Sequence, residues 1–575
     1  MDTSILKSCM MNFSLESLKR FLGMSLVDTL LEWTSDSKTP FTKSNLADMI
    51  ITVHGLNILK SNSYRKALFA TFQKSDLISI GRLMDISGGT NAELLMIIDK
   101  ASSVVWRNSK VNQAVLEILN ISVDVFEKTT VEDLTLYTVT SADRFYELLD
   151  YQFVIKQRIL NELNASSELS RMLVHMPTGT GKTKTAMHTI CHYYNFNLKK
   201  SGLILWVAHT TELLQQAFDT FNVVWKHLGS GNVVACKLWG THSINESEFD
   251  YDGIAFCGIQ KLMSISTSSP DILSKLIEKC RLIVFDEAHK AAASETRDII
   301  EKFMIKKHDM CDRALLGLTA TPGRFTELNV GNDLLASMFG NKIIQIDAEI
   351  MNYINMSKID ALNTEVEDDI IAYFQKKRIL AKVKKEQLTY PDGLNPRELR
   401  NIKITATQNG YDDFTDKALE VIGRNKSRNL AIMQRLWELN SQDIPTIVFA
   451  CSVEHGQLLS SMLSIEGIPN TLVIGAMLPQ DRVSAISAFK DIDNPINILI
   501  NYEVLTTGFD STNIKCVFIA RPTQSVVLYS QMLGRGLRGP QMGGNEECLL
   551  IDIKDNLEKY NESLAFSHFN NYWKV

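Results

Sequence analysis

The chain has 575 residues, 45% of them hydrophobic and 22% charged, with a formal net charge of −6 at pH 7. That composition suits a soluble globular protein of roughly three or four domains. No apolar stretch approaches the roughly 18 residues of a membrane-spanning helix, the N-terminus lacks the layout of a secretory signal, and the nine cysteines stand singly without a C-x-x-C, which suggests neither a zinc module nor a disulfide framework and predicts a reduced, cytoplasmic protein.

Residues 1–148 are predicted to be helical. Ser14–Trp33, Ser44–Lys60 and Ala92–Trp106 repeat apolar residues every three or four positions. Ser87-Gly88-Gly89 before Thr90 and Asn91 reads as a turn leading into a helix cap. No catalytic constellation lies in this region, so it is expected to be an accessory or docking domain.

Over residues 149–325 short apolar runs alternate with helical segments: Met172–His175, Leu203–Ala208, Gly253–Cys257, Leu282–Phe285 and Ala314–Leu318. Such runs suit strands buried on both faces of a parallel sheet, here a doubly wound α/β domain. The first run leads directly into Met176–Thr183, M-P-T-G-T-G-K-T, and a helix is predicted from Lys182. Strand, glycine loop and helix in that order make a phosphate cradle. Gly179 and Gly181 let the backbone N–H groups of Thr178, Gly179, Thr180 and Gly181, which follow Pro177 in the loop, converge on phosphate oxygens. Lys182 is expected to reach the β- and γ-phosphates of ATP, and Thr183 to hold Mg²⁺. Met176 stands where the strict pattern has glycine. The run Leu282–Phe285 ends at Asp286-Glu287-Ala288-His289. Asp286 is expected to hold the hydrated Mg²⁺ and Glu287 to polarise the attacking water. His289 is either a surface histidine or a link to the next motif.

Residues 326–440 are predicted to form a connector. Acidic Glu365, Glu367, Asp368 and Asp369 precede a basic stretch of Lys376, Lys377, Arg378, Lys382, Lys384, Lys385, Arg397, Arg400 and Lys403. That stretch reads as a solvated helical insert, with a phosphate-contacting element as the alternative. From 441 to 575 the α/β rhythm resumes, with runs at Thr446–Ala450, Thr471–Ile474, Ile496–Ile500, Cys516–Ile519 and Cys548–Ile551.

In this order, the motifs resemble those of a superfamily 2 helicase over about residues 149–560. Tyr151-Gln152 is similar to the upstream glutamine motif, which implies that Gln152 reads adenine. Leu205–Gln216 (LWVAHTTELLQQ) and Gly258-Ile259-Gln260 are similar to nucleic-acid-contacting motifs, and Leu318–Pro322 (LTATP) to the motif that couples two lobes. Ile447–Leu459, Leu505–Asp510 (LTTGFD) and Gln531–Arg538 (QMLGRGLR) are similar to the motifs of a second lobe.

The resemblance implies two tandem RecA-like lobes behind an all-helical N-terminal domain. It implies that Arg535 and Arg538, with Gln531, act across the cleft at the γ-phosphate, and that Gly508 and Asp510 serve the nucleotide. His209, Thr210, Gln260, Ser452 and Thr506 would then contact a nucleic-acid backbone, and His289, Thr319 and Thr321 would couple the sites. Motif III reads T-A-T and the tail after Arg538 is short. The stretch from Asn497 to Arg538 looks most like the RadD-like, XPB-like and type I restriction motor branch, whose members work mostly on DNA.

The expected activity is ATP-driven unwinding of, or translocation on, DNA in bacterial DNA repair or anti-phage defence. An RNA helicase and an ATP-switched clamp are the competing readings. With no nuclease signature present, a partner nuclease or a defence or repair protein would dock on the helical domain.

Overall fold

All ten apolar runs form strands. In the computed structural model the described residues are 3–33, 41–86, 88–123, 135–140, 147–165, 170–240, 242, 251–305, 313–323, 329–347, 350, 370–391, 404–406, 412–505, 511–523 and 525–554. Among them β1 (Leu136–Thr140), β2 (Ser170–His175), β3 (Leu203–Ala208), β4 (Asn232–Leu238), β5 (Gly253–Gly258), β6 (Cys280–Asp286), β7 (Ala314–Thr319) and β8 (Ile343–Gln345) make the first sheet. Its order is β1-β4-β5-β3-β6-β7-β2-β8, parallel except for β1, which runs antiparallel to β4. Strand β1 lies within the stretch expected to be helical, but its backbone pairs with the first lobe.

β9 (Lys382–Leu388), the short antiparallel pair β10 (Ile404–Ala406) and β11 (Asp412–Phe414), and β12 (Thr446–Phe449), β13 (Asn470–Val473), β14 (Ile498–Asn501), β15 (Cys516–Ile519) and β16 (Glu547–Ile553) follow. The second sheet has the order β13-β14-β12-β15-β16-β9 and is parallel throughout. Two doubly wound lobes result, each with its strand C-termini along one edge, where such sheets bind ligands. Register makes the first edge level: His175 faces Thr319, and Asp286 faces Leu318.

The basic insert is a correction. Lys376 ends the helix Ile370–Lys376, but Lys382, Lys384 and Lys385 lie on β9, laddered to β16. Lysine-rich composition suggests a solvated helix. The strand forms because β16 offers an open edge, and because Arg435 on the helix Lys426–Ser441 grips Glu386 of β9 through two hydrogen bonds of 2.7 and 2.8 Å. The acidic patch, Arg397, Arg400 and Lys403 lie outside the described residues.

Charged side chains on an edge strand block pairing with another chain. Replacing Lys382, Lys384 and Lys385 together with threonine is therefore expected to cause self-association, seen as rising mass in light scattering. A monodisperse variant would contradict this role.

The N-terminal helices Ser4–Met10, Leu15–Leu22, Met24–Trp33, Lys43–His54, Asn62–Phe69, Lys74–Arg82, Asn91–Ser103 and Lys110–Ile118 follow the apolar periodicity. The expected helix Ser14–Trp33 is broken at Gly23, whose φ of 114° is in a region glycine tolerates best. Thr90 and Glu93 form the capping box before Asn91–Ser103. Arg65 is fully buried and donates to the carbonyls of Leu59, Ser102 and Val104 and to Asn62, tying three segments together.

These helices do not stand apart. Leu46, Ile50 and Val53 share one continuous apolar core with Leu436, Leu459 and Leu463 of the second lobe. Leu56 N–H donates to Asp481 Oδ2 at 3.1 Å, Asn57 Nδ2 to the Ala476 carbonyl at 3.2 Å, and Lys426 Nζ to the Glu32 carbonyl at 3.0 Å. The N-terminal helices are thus fixed to the second lobe. No helix among the described residues is long and apolar enough to cross a membrane.

Candidate active site

Strand β2 ends at His175 and the helix Lys182–His192 begins after only six intervening residues, so Met176–Gly181 must turn tightly. Gly179 and Gly181 adopt φ values of 86° and 80°. A Cβ on Gly181 would also run into the Gln152 amide. The loop is braced from behind: the Thr180 carbonyl accepts from Tyr151 Oη at 2.7 Å and Gln152 Nε2 at 2.9 Å, while Thr180 Oγ1 donates to the Pro177 carbonyl at 2.7 Å. His175 holds the strand end to its neighbours, within 3.2 Å of the Ala320 carbonyl and 3.1 Å of Gln345 Oε1. Burial pushes its pKa down to about 4, so it is neutral at pH 7.

Strand β6 delivers Asp286 to the same edge. Glu287 follows in left-handed backbone, φ 53° and ψ 52°. For a residue with a side chain that conformation costs roughly 1–3 kcal/mol and persists where the surroundings over-determine it. It aims both carboxylates at Lys182: Nζ donates to Glu287 Oε1 at 3.2 Å and lies 3.7 Å from Asp286 Oδ1. Burial alone would depress the lysine, but Glu287 and Asp286 outweigh it and hold the ammonium charged. Burial raises the Asp286 carboxyl; it opposes ionisation of Glu287 too, but Lys182 keeps that carboxylate ionised, while burial lowers His289 to about 3 and leaves it neutral at pH 7. His289 is fully buried; its Nδ1 lies 3.3 Å from Glu287 Oε2 and 3.2 Å from Thr319 Oγ1. Thr319 Oγ1 in turn donates to the Thr321 carbonyl at 2.8 Å. A side-chain chain therefore runs from Glu287 through His289 to the T-A-T turn.

The second lobe closes the cleft. Its volume is about 290 Å³, and its walls carry Pro177, Thr178, Gly179, Lys182, Thr183, Asp286 and Glu287 from one lobe and Thr512, Gln531, Arg535, Arg538 and Met542 from the other. Gly534 approaches so close to Thr178 that a Cβ would collide with its side chain. Burial lowers the Arg535 and Arg538 guanidinium pKa values to about 10, which leaves both cationic at pH 7. The lobes also meet where Arg482 donates to Glu212 at 2.8 Å.

The donor set fits a triphosphate with a divalent cation. Two lysines, Lys182 and Lys184, and two arginines oppose two carboxylates and the Thr183 hydroxyl. The Gln531 Nε2 is buried on the cleft wall without a hydrogen-bond partner among the described residues, a donor suited to a ligand oxygen.

Other expected positions divide. Gln152 is only 1% exposed and its amide is engaged by Thr180 and Leu149, so it sits behind the loop rather than on the cleft wall. Ser452 is buried as the cap of the helix Val453–Ile465 and lines a cavity between the N-terminal helices and the second lobe. Thr210 caps the helix Thr211–Leu228, His209 packs edge-on against Phe285, and Gln260 is exposed. Thr506, Gly508 and Asp510 lie outside the described residues. The sequence reading missed Tyr151 as a brace and Leu213 and Gln216 as cleft walls, although these lie within the helicase-like motifs, and it missed Thr512 and Met542, which no motif marks.

Two parallel-sheet lobes, a phosphate loop and paired carboxylates on the first, and arginines from the second define a two-lobed P-loop motor core. Residues 145–324 match the family model "Type III restriction enzyme, res subunit", and residues 428–539 the model "Helicase conserved C-terminal domain". The chain belongs to the superfamily 2 helicases, with kinship to restriction-enzyme motor subunits. It is 25% identical over 415 residues to IRC3 of Saccharomyces cerevisiae, whose name marks it as a candidate ATP-dependent helicase, covering 71% of this chain and 51% of that protein. It is 24% identical to the type I restriction enzyme EcoAI endonuclease subunit of Escherichia coli, covering 69% of this chain and 45% of the relative. The chain thus spans about half the length of these relatives. A DNA-bound structure of the helicase MrfA aligns with a TM-score of 0.47 and 15% identity, over 76% of this chain and 53% of that one.

Proposed function

We propose that this protein is a nucleic-acid-dependent ATPase that unwinds or translocates on DNA. The observation that carries the reading is that Arg535 and Arg538 of the second lobe line the same cleft as Lys182 and Glu287 of the first. Lys182 and the loop amides would bind the β- and γ-phosphates of ATP. Thr183 and Asp286 would hold Mg²⁺, which neutralises charge on the phosphoryl oxygens. Glu287, kept ionised by Lys182, would orient the attacking water. Arg535 and Arg538 would stabilise the charge that develops in transfer. The path from Glu287 through His289 to Thr319 would report the state of the phosphate site to the lobe interface. Alternate closing and opening would then ratchet the lobes along a strand.

The choice of DNA is supported by the restriction-subunit family model and the restriction-enzyme relative. The same kinship supports a cytoplasmic role in bacterial DNA repair or anti-phage defence. A partner nuclease or repair protein docked on the N-terminal helices would move with the second lobe. The test is steady-state ATP turnover with duplex DNA, single-stranded DNA and RNA, with and without proteins encoded beside the gene, and a triplex-displacement assay. Stimulation by DNA with displacement is expected, and the stimulation should fall steeply with added salt because backbone phosphates dominate binding. Stimulation by RNA alone would overturn the DNA reading, and ATP-dependent binding without displacement would favour a clamp.

A further inference from the structure

The chain's crossing from the first lobe to the second forms part of the catalytic cleft's own framework. The helix Ile370–Lys376 packs on the first lobe. Its Phe374 meets Tyr151 edge-on at 5.0 Å, and Tyr151 is the residue that braces the Thr180 carbonyl. A few residues later β9 is part of the second sheet. Between them Arg378 turns the chain in left-handed backbone, φ 57°. Leu380 is buried in the first lobe's core and Ala381 in the second's.

This crossing bonds to the segment that carries Arg538. Ala381 N–H donates to the Leu537 carbonyl at 2.9 Å, Gly539 N–H to the Ile379 carbonyl at 2.9 Å, and Gln541 N–H to the Arg378 carbonyl at 3.0 Å. Leu380 and Arg538 face each other in an antiparallel bridge. Both reach the phosphate loop: a Cβ built on Gly179 would stand 3.5 Å from Leu380 Cδ2 and 3.6 Å from Arg538 Cγ. Gly539 allows the approach, because a Cβ there would run into the Arg378 carbonyl.

We propose that Arg378–Ala381 is a positioning element for Arg538. By fastening the arginine's backbone at Gly179, it makes hinge motion and placement of the guanidinium one movement. Leu380 is the contact through which the first lobe sets that placement. Opening the lobes must then either withdraw Arg538 or break the three backbone bonds, so hydrolysis is confined to the closed state. The proposal rests on the ATPase reading above.

The test uses the full chain and four measurements: kcat, KM for ATP, affinity for a fluorescent ATP analogue, and Tm. A displacement of about 1 Å in a catalytic group can cost about 100-fold in rate. Gly539→Ala and Leu380→Ala are therefore expected to lower kcat by about 10- to 100-fold. KM and analogue affinity should stay within about threefold, since no phosphate-loop residue is replaced. Leu380→Met, which conserves volume, should restore parental kcat. If Gly539→Ala fails to fold, the Leu380 pair decides. Parental kcat in Leu380→Ala, or equal loss of kcat and analogue affinity, would overturn the proposal. A parent with no turnover on any nucleic acid ends the ATPase reading and this proposal together; an active parent with unaffected variants ends this proposal alone.

Discussion

Arg535→Ala is expected to lower ATP turnover by about 10³-fold or more, the scale of losing an arginine that meets a transferring phosphoryl group. Arg535 comes from the end of the helix Val526–Leu533, is buried in the cleft, and lies close enough to Glu287 for that carboxylate to favour its charged form. Its Nε donates to the Gln531 carbonyl at 3.3 Å, which sets the side chain's root. Binding of ATP should change by only a few fold, because Lys182, Thr183, Asp286 and the loop amides all belong to the first lobe. Loss in kcat without loss in affinity is the signature of a contact made in the transition state. Arg535→Lys is expected to recover little, since an ammonium lacks the planar fork of donors. The check is kcat against ATP together with titration of a fluorescent nucleotide. Parental kcat in Arg535→Ala would remove this residue from the chemistry.

Glu287→Gln should lower turnover by about 10²–10⁴-fold, the range for a group that handles a proton or orients water in the transition state. Glutamine matches the shape and keeps a hydrogen-bonding oxygen for Lys182, but it carries no charge to polarise water. ATP should still bind, because Thr183 and Asp286 remain. Lys182→Ala makes the contrast: it removes the cation from the phosphate cradle, so turnover and affinity should fall together. Single-turnover hydrolysis and nucleotide titration on the two variants separate these outcomes. Hydrolysis by Glu287→Gln at the parental rate would show that water is positioned elsewhere.

Much of the fold was legible because both sheets are parallel and covered. A strand buried on both faces must be apolar throughout, so β2, β3, β5, β6 and β7, and their counterparts in the second lobe, show as short apolar runs. The phosphate loop and the D-E-A-H turn were legible for a related reason: glycines, a lysine and paired carboxylates at strand exits have few structural uses. What stayed hidden depends on contacts between residues far apart in the chain. β9 carries lysines and becomes a strand only because β16 offers an edge and Arg435 a partner for Glu386. The N-terminal helices look like a separate unit, yet their apolar faces are covered by residues some four hundred positions later. Gln152 and Ser452 carry the right side chains at motif-like positions, but one braces the phosphate loop and the other caps a helix. The crossing at Arg378–Ala381 has no motif at all, because its role lies in backbone bonds to Leu537, Gly539 and Gln541.

The central claim is that one catalytic cleft is built from both lobes and is complete only when they meet over a triphosphate. A crystal structure of the full chain with ADP, Mg²⁺ and aluminium fluoride tests it most directly. The account predicts the guanidinium groups of Arg535 and Arg538 within hydrogen-bonding distance of the fluoride, with Lys182 on the same group and Asp286 on the metal's water shell. A transition-state mimic held by the first lobe alone, with both arginines turned out of the cleft, would contradict it.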